Sequence, residues 1–355
     1  MISIAFTGDI MLSRRVKDKL QSDAKFKLLT PEVSCYLRSS DYVVGNLECP
    51  LTLSAKKLKP SYFKAHPSSL KQLSDFNLLT IANNHIFDCG KKGAVETSQL
   101  LTKNGKDQCG LKLENSESSC FEKSIKGKQF CFVSLTTKSC ENDTNPLIYP
   151  KNSIAEDRKS VDLVRKKSLK NDFTIAIIHG GNEMIPYPEP SFRNLCKNYI
   201  DAGANVVITH HPHVLGCMEK YKTGYVFYSL GDFIFDGLSN FRRQGGILKL
   251  NFQENEVDWE LKPTNIKNDL SIVLSKVKVS QNVTKKWFEK SQRLLKEDYE
   301  RMFLCRYIVC LISFQLDRII FMLKNRGIKR TILFMVSKTR LIPFYFMKII
   351  KGNVR

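Results

Sequence analysis

The chain has 355 residues, 42% of them hydrophobic and 26% charged, with 56 Lys or Arg against 35 Asp or Glu and a formal net charge of +21. Such a length can bury a sizeable core, and the balance is that of a soluble globular protein. Eleven cysteines, odd in number and without a Cys-x-x-Cys pair, exclude a disulfide framework and a zinc ribbon and suit reduced thiols in a cytosol.

The first element starts at once: "MISIAFTGDIML" lacks a basic stretch followed by an apolar core, so no secretory signal is expected. Short apolar runs then recur, "DYVVGNL", "NLLTIAN", "QFCFVSL", "FTIAIIHG", "NVVITHH", "YVFYSLG" and "GGILKLNF", each reading as a strand. Between them lie helical stretches, "PSSLKQLSDF", "KKGAVETSQLLTKNG" and "PSFRNLCKNYIDAG", the last two closing on Asn-Gly and Ala-Gly stop signals. Alternation of strand and helix predicts an α/β domain with much parallel sheet. Runs that are apolar throughout predict strands covered on both faces.

Polar, chemically capable residues follow these strands. Asp9 follows the first and Glu48 the second; Asn83, Asn84 and His85 follow the third. His179 ends "FTIAIIH", His210, His211 and His213 follow "NVVIT", and Asp232 follows "YVFYSLG". Open α/β sheets place their sites beyond the carboxyl ends of strands, so these residues are expected on one rim. A lone histidine there would be a satisfied structural residue, but five of six lie at strand ends and only His66 does not. In an extended segment His211 and His213 would point to one side. Imidazole with carboxylate and amide oxygen suits Zn, Mn or Fe better than Ca.

The ordered motifs "TGDIMLSR", "GNLECPLT", "ANNHIFDCG", "HGGNE", "HHPHVLG" and "YSLGDFIFD" resemble those of the poly-gamma-glutamate capsule synthesis (CapA-type) proteins, which are related to calcineurin-like metallophosphoesterases. The resemblance covers roughly residues 2 to 252. It implies an α/β fold, a four-layer α/β/β/α metallophosphoesterase-like sandwich, holding two divalent metal ions (Mn, Fe or Zn). By the same resemblance Asp9 and His213 look like ligands of a first metal, Glu48 bridges, and Asn84, His179 and His211 look like ligands of a second. His85 resembles the residue that protonates a leaving group. Asn46, Asn83, Glu183, His210 and Asp232 are left with substrate or supporting roles. Two metals so placed lower the pKa of water from about 15.7 toward about 7.

The chain also departs from the pattern. Met11 stands where metallophosphoesterases carry the imidazole of Asp-x-His, and Glu48 replaces a bridging Asp. Ile86 follows the Asn-His pair in place of an acidic residue. Gly180 stands where the CapA-type relatives have Trp, an exchange expected to widen the pocket or alter stacking of a substrate. Asp232 stands where they have Asn, adding negative charge beside the metals, either as a further ligand or as a group that repels an anionic substrate. Asp88 in "DCG" reads as the end of a turn rather than a substrate contact.

Residues 1–255 are therefore expected as the catalytic domain, 256–284 as a connector and 285–355 as a basic, apolar helical extension. That last segment holds 17 Lys or Arg against 5 Asp or Glu. It includes the apolar stretches 302–323 and 331–350, the first with a polar stripe of Arg306, Ser313, Asp317 and Lys324. Charges at about +2.5 to +3.5 kcal/mol each at mid-bilayer outweigh its apolar gain, so a true span is disfavoured. An interfacial helix on anionic lipid and a helix packed on the domain both stay open. No nucleic-acid recognition module is seen. The expected protein is thus a cytoplasmic hydrolase of phosphoester type acting in capsule synthesis, with an anionic phosphorylated or polymeric substrate and peripheral contact with the inner membrane face. The alternative is a non-catalytic metal-containing component docked on a capsule synthase or export machinery through its basic C-terminus.

Overall fold

The computed structural model describes residues 1–326 except 54–55, 60–61, 113–118, 141–150, 237–240 and 255. In chain order the elements begin with β1 (Ile2–Ile10), α1 (Arg14–Ser22), α2 (Pro31–Arg38), β2 (Tyr42–Leu47), β3 (Leu78–Thr80), α3 (Gly90–Lys103) and β4 (Asp107–Cys109). There follow β5 (Leu111–Lys112), β6 (Cys120–Ile125), β7 (Lys128–Thr136), β8 (Lys151–Asn152), α4 (Arg158–Ser168), β9 (Phe173–His179) and α5 (Pro190–Asp201). The remainder are β10 (Val206–His210), β11 (Leu215–Tyr221), β12 (Gly224–Leu230), β13 (Asp232–Ile234), β14 (Gln244–Gln253), β15 (Glu256–Ile266), β16 (Ile272–Leu274), α6 (Val277–Leu294) and α7 (Tyr299–Arg326).

One sheet runs β16-β15-β14-β1-β2-β3-β4, with β13 paired to β1, and a second runs β11-β12-β10-β9-β7-β6. In the first, β1 to β4 are parallel; in the second, β7, β9, β10 and β12 are. Period-two alternation divides each strand between two cores. Ile4, Phe6, Val44, Leu248 and Leu250 meet Phe132, Ile175, Ile177, Ile208 and Phe227 between the sheets. The opposite faces pack outward: Val43 and Ile247 against Val16, Val33 and Leu101 of the first helices, and Val133, Ala176 and Val207 against Val164, Cys196 and Tyr199. Four layers result, α/β/β/α, and the uniform apolar runs are explained by strands buried on both sides.

Local signals agree. Pro31 and Pro190 open α2 and α5, where the missing N–H has no helical partner to lose. Gly105 and Gly203 follow α3 and α5 with φ of +66° and +102°, the left-handed stop that glycine accepts without strain. The stretch expected as a helix at 67–76 is instead a 3₁₀ segment over Pro67–Leu73.

Residues 256–284, expected as a connector, carry β15, β16 and the start of α6. β15 is hydrogen-bonded along all of β14. Its polar and apolar positions alternate, so it lacks the continuous apolar run that marks the inner strands. In α6, Trp287 is buried within the inter-sheet core. Along α7, Phe303, Tyr307 and Cys310 lean on the outer core of the second sheet, while Val309, Ile312, Leu316 and Ile320 are exposed. The side chains of Arg306, Asp317 and Lys324, and the whole of 331–350, lie outside the described residues. Among those described, no helix is long and apolar enough to cross a membrane.

Candidate metal centre

The carboxyl ends of β1, β2, β3, β9 and β10 meet at one end of the sandwich. There β13 joins β1 in parallel, placing Asp232 opposite Asp9. Two glycines permit this approach: a Cβ on Gly8 would lie 1.9 Å from the Gly231 carbonyl oxygen. That carbonyl accepts the Asp9 backbone N–H at 3.0 Å.

Two sets of donors lie side by side. In one, Glu48, His179 and His211 each present an atom within 4.8 Å of the others. In the other, Asp9, His213 and Asp232 do the same. His213 Nδ1 is 3.3 Å from Asp9 Oδ2 and 2.8 Å from Asp232 Oδ1, while its Nε2 is 3.6 Å from Glu48 Oε1. Glu48 thus touches both sets; His179 Nε2 lies 4.0 Å from the same oxygen. Asn46 ties them together, its Nδ2 2.8 Å from Asp9 Oδ1 and 3.2 Å from His179 Nδ1. His210 Nδ1 lies 3.0 Å from Asp9 Oδ1. Asn83 works through the backbone, donating to the Leu47 carbonyl at 2.9 Å and accepting from the His85 N–H at 3.1 Å. Asn84 is buried in the same turn. Glu183, on the loop after β9, is exposed and forms a further set with His211 and His213.

The histidine loop is not the extended segment expected. His211 and His213 have φ of 98° and 58°, a left-handed turn that costs side-chain-bearing residues about 1–3 kcal/mol each. The turn, rather than strand alternation, brings the two rings to 5.9 Å between centroids. It also aims the His211 backbone N–H at Asp9 Oδ2, 3.2 Å away.

His85 stands at the opening, its side chain 17% exposed, with Nε2 3.7 Å from Glu48 Oε1. Asp88 holds it from behind, accepting from Nδ1 at 2.7 Å, and the Phe63 ring stacks on it at 3.9 Å. Asp88 is therefore more than the end of a turn. Arg242 was not foreseen: its Nε donates to Asp232 Oδ2 at 2.9 Å, and its guanidinium lies 4.2 Å from the Phe235 centroid. Coming from a short 3₁₀ segment (Phe241–Arg243), it carries no periodic signal. Nor does Gly180 leave a widened pocket at its Cα: a Cβ there would lie 2.4 Å from Thr137 Cγ2 and 3.0 Å from Phe192 Cε2.

Burial pushes the Asp9 carboxyl up, but hydrogen bonds and charge from His210 and His213 prevail and hold it well below the usual range. Burial drives Glu48 well above its range, and repulsion from Asp9 and Asp232 adds to this against the pull of His213. Burial likewise pushes His179 well down and His211 down to about 4, aided by neighbouring imidazoles. His213 goes the other way: burial and Arg242 oppose its charge, but Glu48 and Asp232 overcome them. Both Glu48 oxygens, His179 Nε2 and His211 Nδ1 are buried with no hydrogen-bond partner among the described residues. An uncompensated buried carboxylate costs several kcal/mol, and neutral imidazoles are the form that ligates. The residues present fit a divalent cation.

Comparison with known proteins agrees with the resemblance read in the motifs. Residues 3–237 match the family described as "Bacterial capsule synthesis protein PGA_cap". The capsule biosynthesis protein CapA of Bacillus anthracis is 28% identical over 323 residues, 82% of this chain and 77% of that protein. The PGA biosynthesis protein CapA of Bacillus subtilis (strain 168) is 28% identical over 281 residues, covering 75% and 72%. Among solved structures, a phosphatase from Mycoplasma pneumoniae aligns with a TM-score of 0.48 at 14% identity, over 74% of this chain and 92% of that one.

Proposed function

This chain belongs to the PGA_cap family of bacterial capsule synthesis proteins, and on that premise we propose that it is a divalent-metal-dependent hydrolase of phosphoester type acting in the synthesis of a capsule polymer, poly-γ-glutamate or polysaccharide. One observation carries the reading. Glu48, buried and without a hydrogen-bond partner among the described residues, lies between two donor sets and within 3.7 Å of His85 Nε2. When bound, two cations supply Lewis acidity and bring the pKa of water within reach of neutral pH. Glu48, His179, His211 and Asn84 would hold one, and Asp9 and His213 with Glu48 the other.

The remaining work falls to this chain's side chains. Asp88 fixes His85 with Nδ1–H turned inward, leaving Nε2 to carry a proton toward the leaving oxygen, an effect of about 10²–10⁴-fold. Phe63 keeps the ring from tilting. Asn46 holds Asp9 and His179 in register. The chain's net positive charge suits an anionic substrate. Mn²⁺-dependent turnover of an aryl phosphate or phosphodiester tests this. His85→Ala should lose about 10²-fold or more in kcat while keeping its metal; absence of turnover in the metal-loaded wild type would contradict it.

A second reading, a non-catalytic component docked at the inner face of the membrane, is favoured by the exposed row Val309, Ile312, Leu316 and Ile320 on α7. Turnover in the metal-loaded protein separates the two, and co-sedimentation with anionic liposomes tests the docking itself. Loss of binding in Leu316→Glu/Ile320→Glu supports docking through this face, and unchanged binding removes it.

A further inference from the structure

We propose that Asp232 is itself a ligand of the cation held by Asp9 and His213, completing a donor set that Met11 leaves short. This rests on the two-cation reading above.

Met11 does not offer its sulfur to the site. It lies fully buried in the helix-side apolar core with Ile10, Leu12 and Phe235, and its Sδ accepts the Ser13 backbone N–H at 3.0 Å. Asp9 and His213 would then leave the first cation with two side chains besides Glu48. The pairing of β1 with β13 brings a third from the neighbouring strand, Asp232 opposite Asp9. Ligand bonds of about 2.0–2.2 Å put neighbouring donors on one ion about 3.0–3.5 Å apart. Asp9 Oδ2 stands 3.3 Å from His213 Nδ1, within that spacing, and Asp232, whose Oδ1 is hydrogen-bonded to the same nitrogen at 2.8 Å, presents an atom within 4.8 Å of both donors.

Arg242 makes the arrangement tenable. It takes Asp232 Oδ2 through Nε at 2.9 Å, so that only Oδ1 is turned toward Asp9 and His213. Its charge also offsets the third carboxylate crowded beside Asp9 and Glu48. Two carboxylates and one imidazole form a harder donor set than one carboxylate and two imidazoles, so Asp232 moves the first position toward the ligand type that suits Mn²⁺.

The alternative is that Asp232 only orients His213 by accepting its Nδ1–H. Full-length protein loaded with Co²⁺ decides between them. If position 232 ligates, Asp232→Cys gains a thiolate-to-cobalt charge-transfer band absent from the wild type and abolished by chelator; loaded Asp232→Cys without that band overturns the proposal. Should the Cys variant fail to fold, Mn²⁺-soaked crystals of the wild type decide: an Asp232 oxygen about 2.0–2.2 Å from the ion held by Asp9 and His213 supports ligation, and an ion there with Asp232 bonded only to His213 overturns the proposal. Wild-type protein that binds no cation contradicts the two-cation reading itself rather than the choice between these roles.

Discussion

Two glutamates are buried in this molecule in opposite ways. Glu219, on β11, receives Arg193 Nε at 2.9 Å on one oxygen and Nη2 at 2.6 Å on the other. The Tyr228 hydroxyl adds a bond at 2.6 Å, and Lys197 Nζ lies 3.5 Å away. Burial raises its pKa, but the Arg193 and Tyr228 hydrogen bonds prevail and hold it low. Glu48, equally buried, has no hydrogen bond to either oxygen among the described residues, and its pKa is driven up. The same fold can thus wrap a buried carboxylate in donors. Where it does not, beside Asp9, Asp232 and four imidazoles, the donors are those that fit a divalent cation.

The largest effect should come from breaking the satisfied pair. Arg193→Met leaves Glu219 with Lys197 and Tyr228 alone and should cost about 3 kcal/mol in denaturant unfolding, the scale of a buried ion pair that loses one partner. Next, Mn²⁺ at 100 times the dissociation constant should stabilise the wild type by about 2.7 kcal/mol for each site filled, and Glu48→Gln, which touches both donor sets, should lose most of that gain. In chelator-treated protein the same Glu48→Gln should be nearly neutral, within about 1 kcal/mol, because it replaces a protonated carboxyl that has no hydrogen bond among the described residues with a neutral amide of the same shape. A Glu48→Gln protein destabilised without metal as strongly as Arg193→Met would erase the distinction between the two sites.

The smallest effect is a difference in pH slope. A glutamate unfolds to a pKa near 4.3. Glu219 is held below its unfolded value, so its contribution is present above about pH 4.3 and is lost as pH falls through the lower folded value. Glu48 is held above its unfolded value. In metal-free protein the folded state therefore keeps a proton that the unfolded state releases, and stability declines as pH rises from about 4.3 toward the folded value. Neither slope exceeds about 1.4 kcal/mol per pH unit. Unfolding of chelated Glu219→Gln and Glu48→Gln across pH 2 to 7 should change the wild-type slope in opposite directions, the first below about pH 4.3 and the second above it.

Where the sequence is legible follows from how each residue is held. The inner strands announce themselves because burial on both faces demands unbroken runs such as "FTIAIIH", and their polar ends stand out by contrast. β6 and β15 escape notice because exposed Glu122 and Glu256 alternate with half-buried positions. His211 and His213 are visible as donors, but their left-handed turn is not, since nothing in "HHPH" distinguishes it from an extended run. Asp88 and Arg242 are harder still. Their roles depend on meeting His85 and Asp232 in space, and neither residue lies on a periodic element that would place it there.

Anomalous scattering from Mn²⁺-soaked crystals of the full chain tests the central claim most directly. Two peaks are predicted, one among Glu48, His179 and His211 and one beside Asp9 and His213, with a Glu48 oxygen in reach of both. Manganese confined to surface carboxylates, with Glu48 still unpartnered, would contradict it.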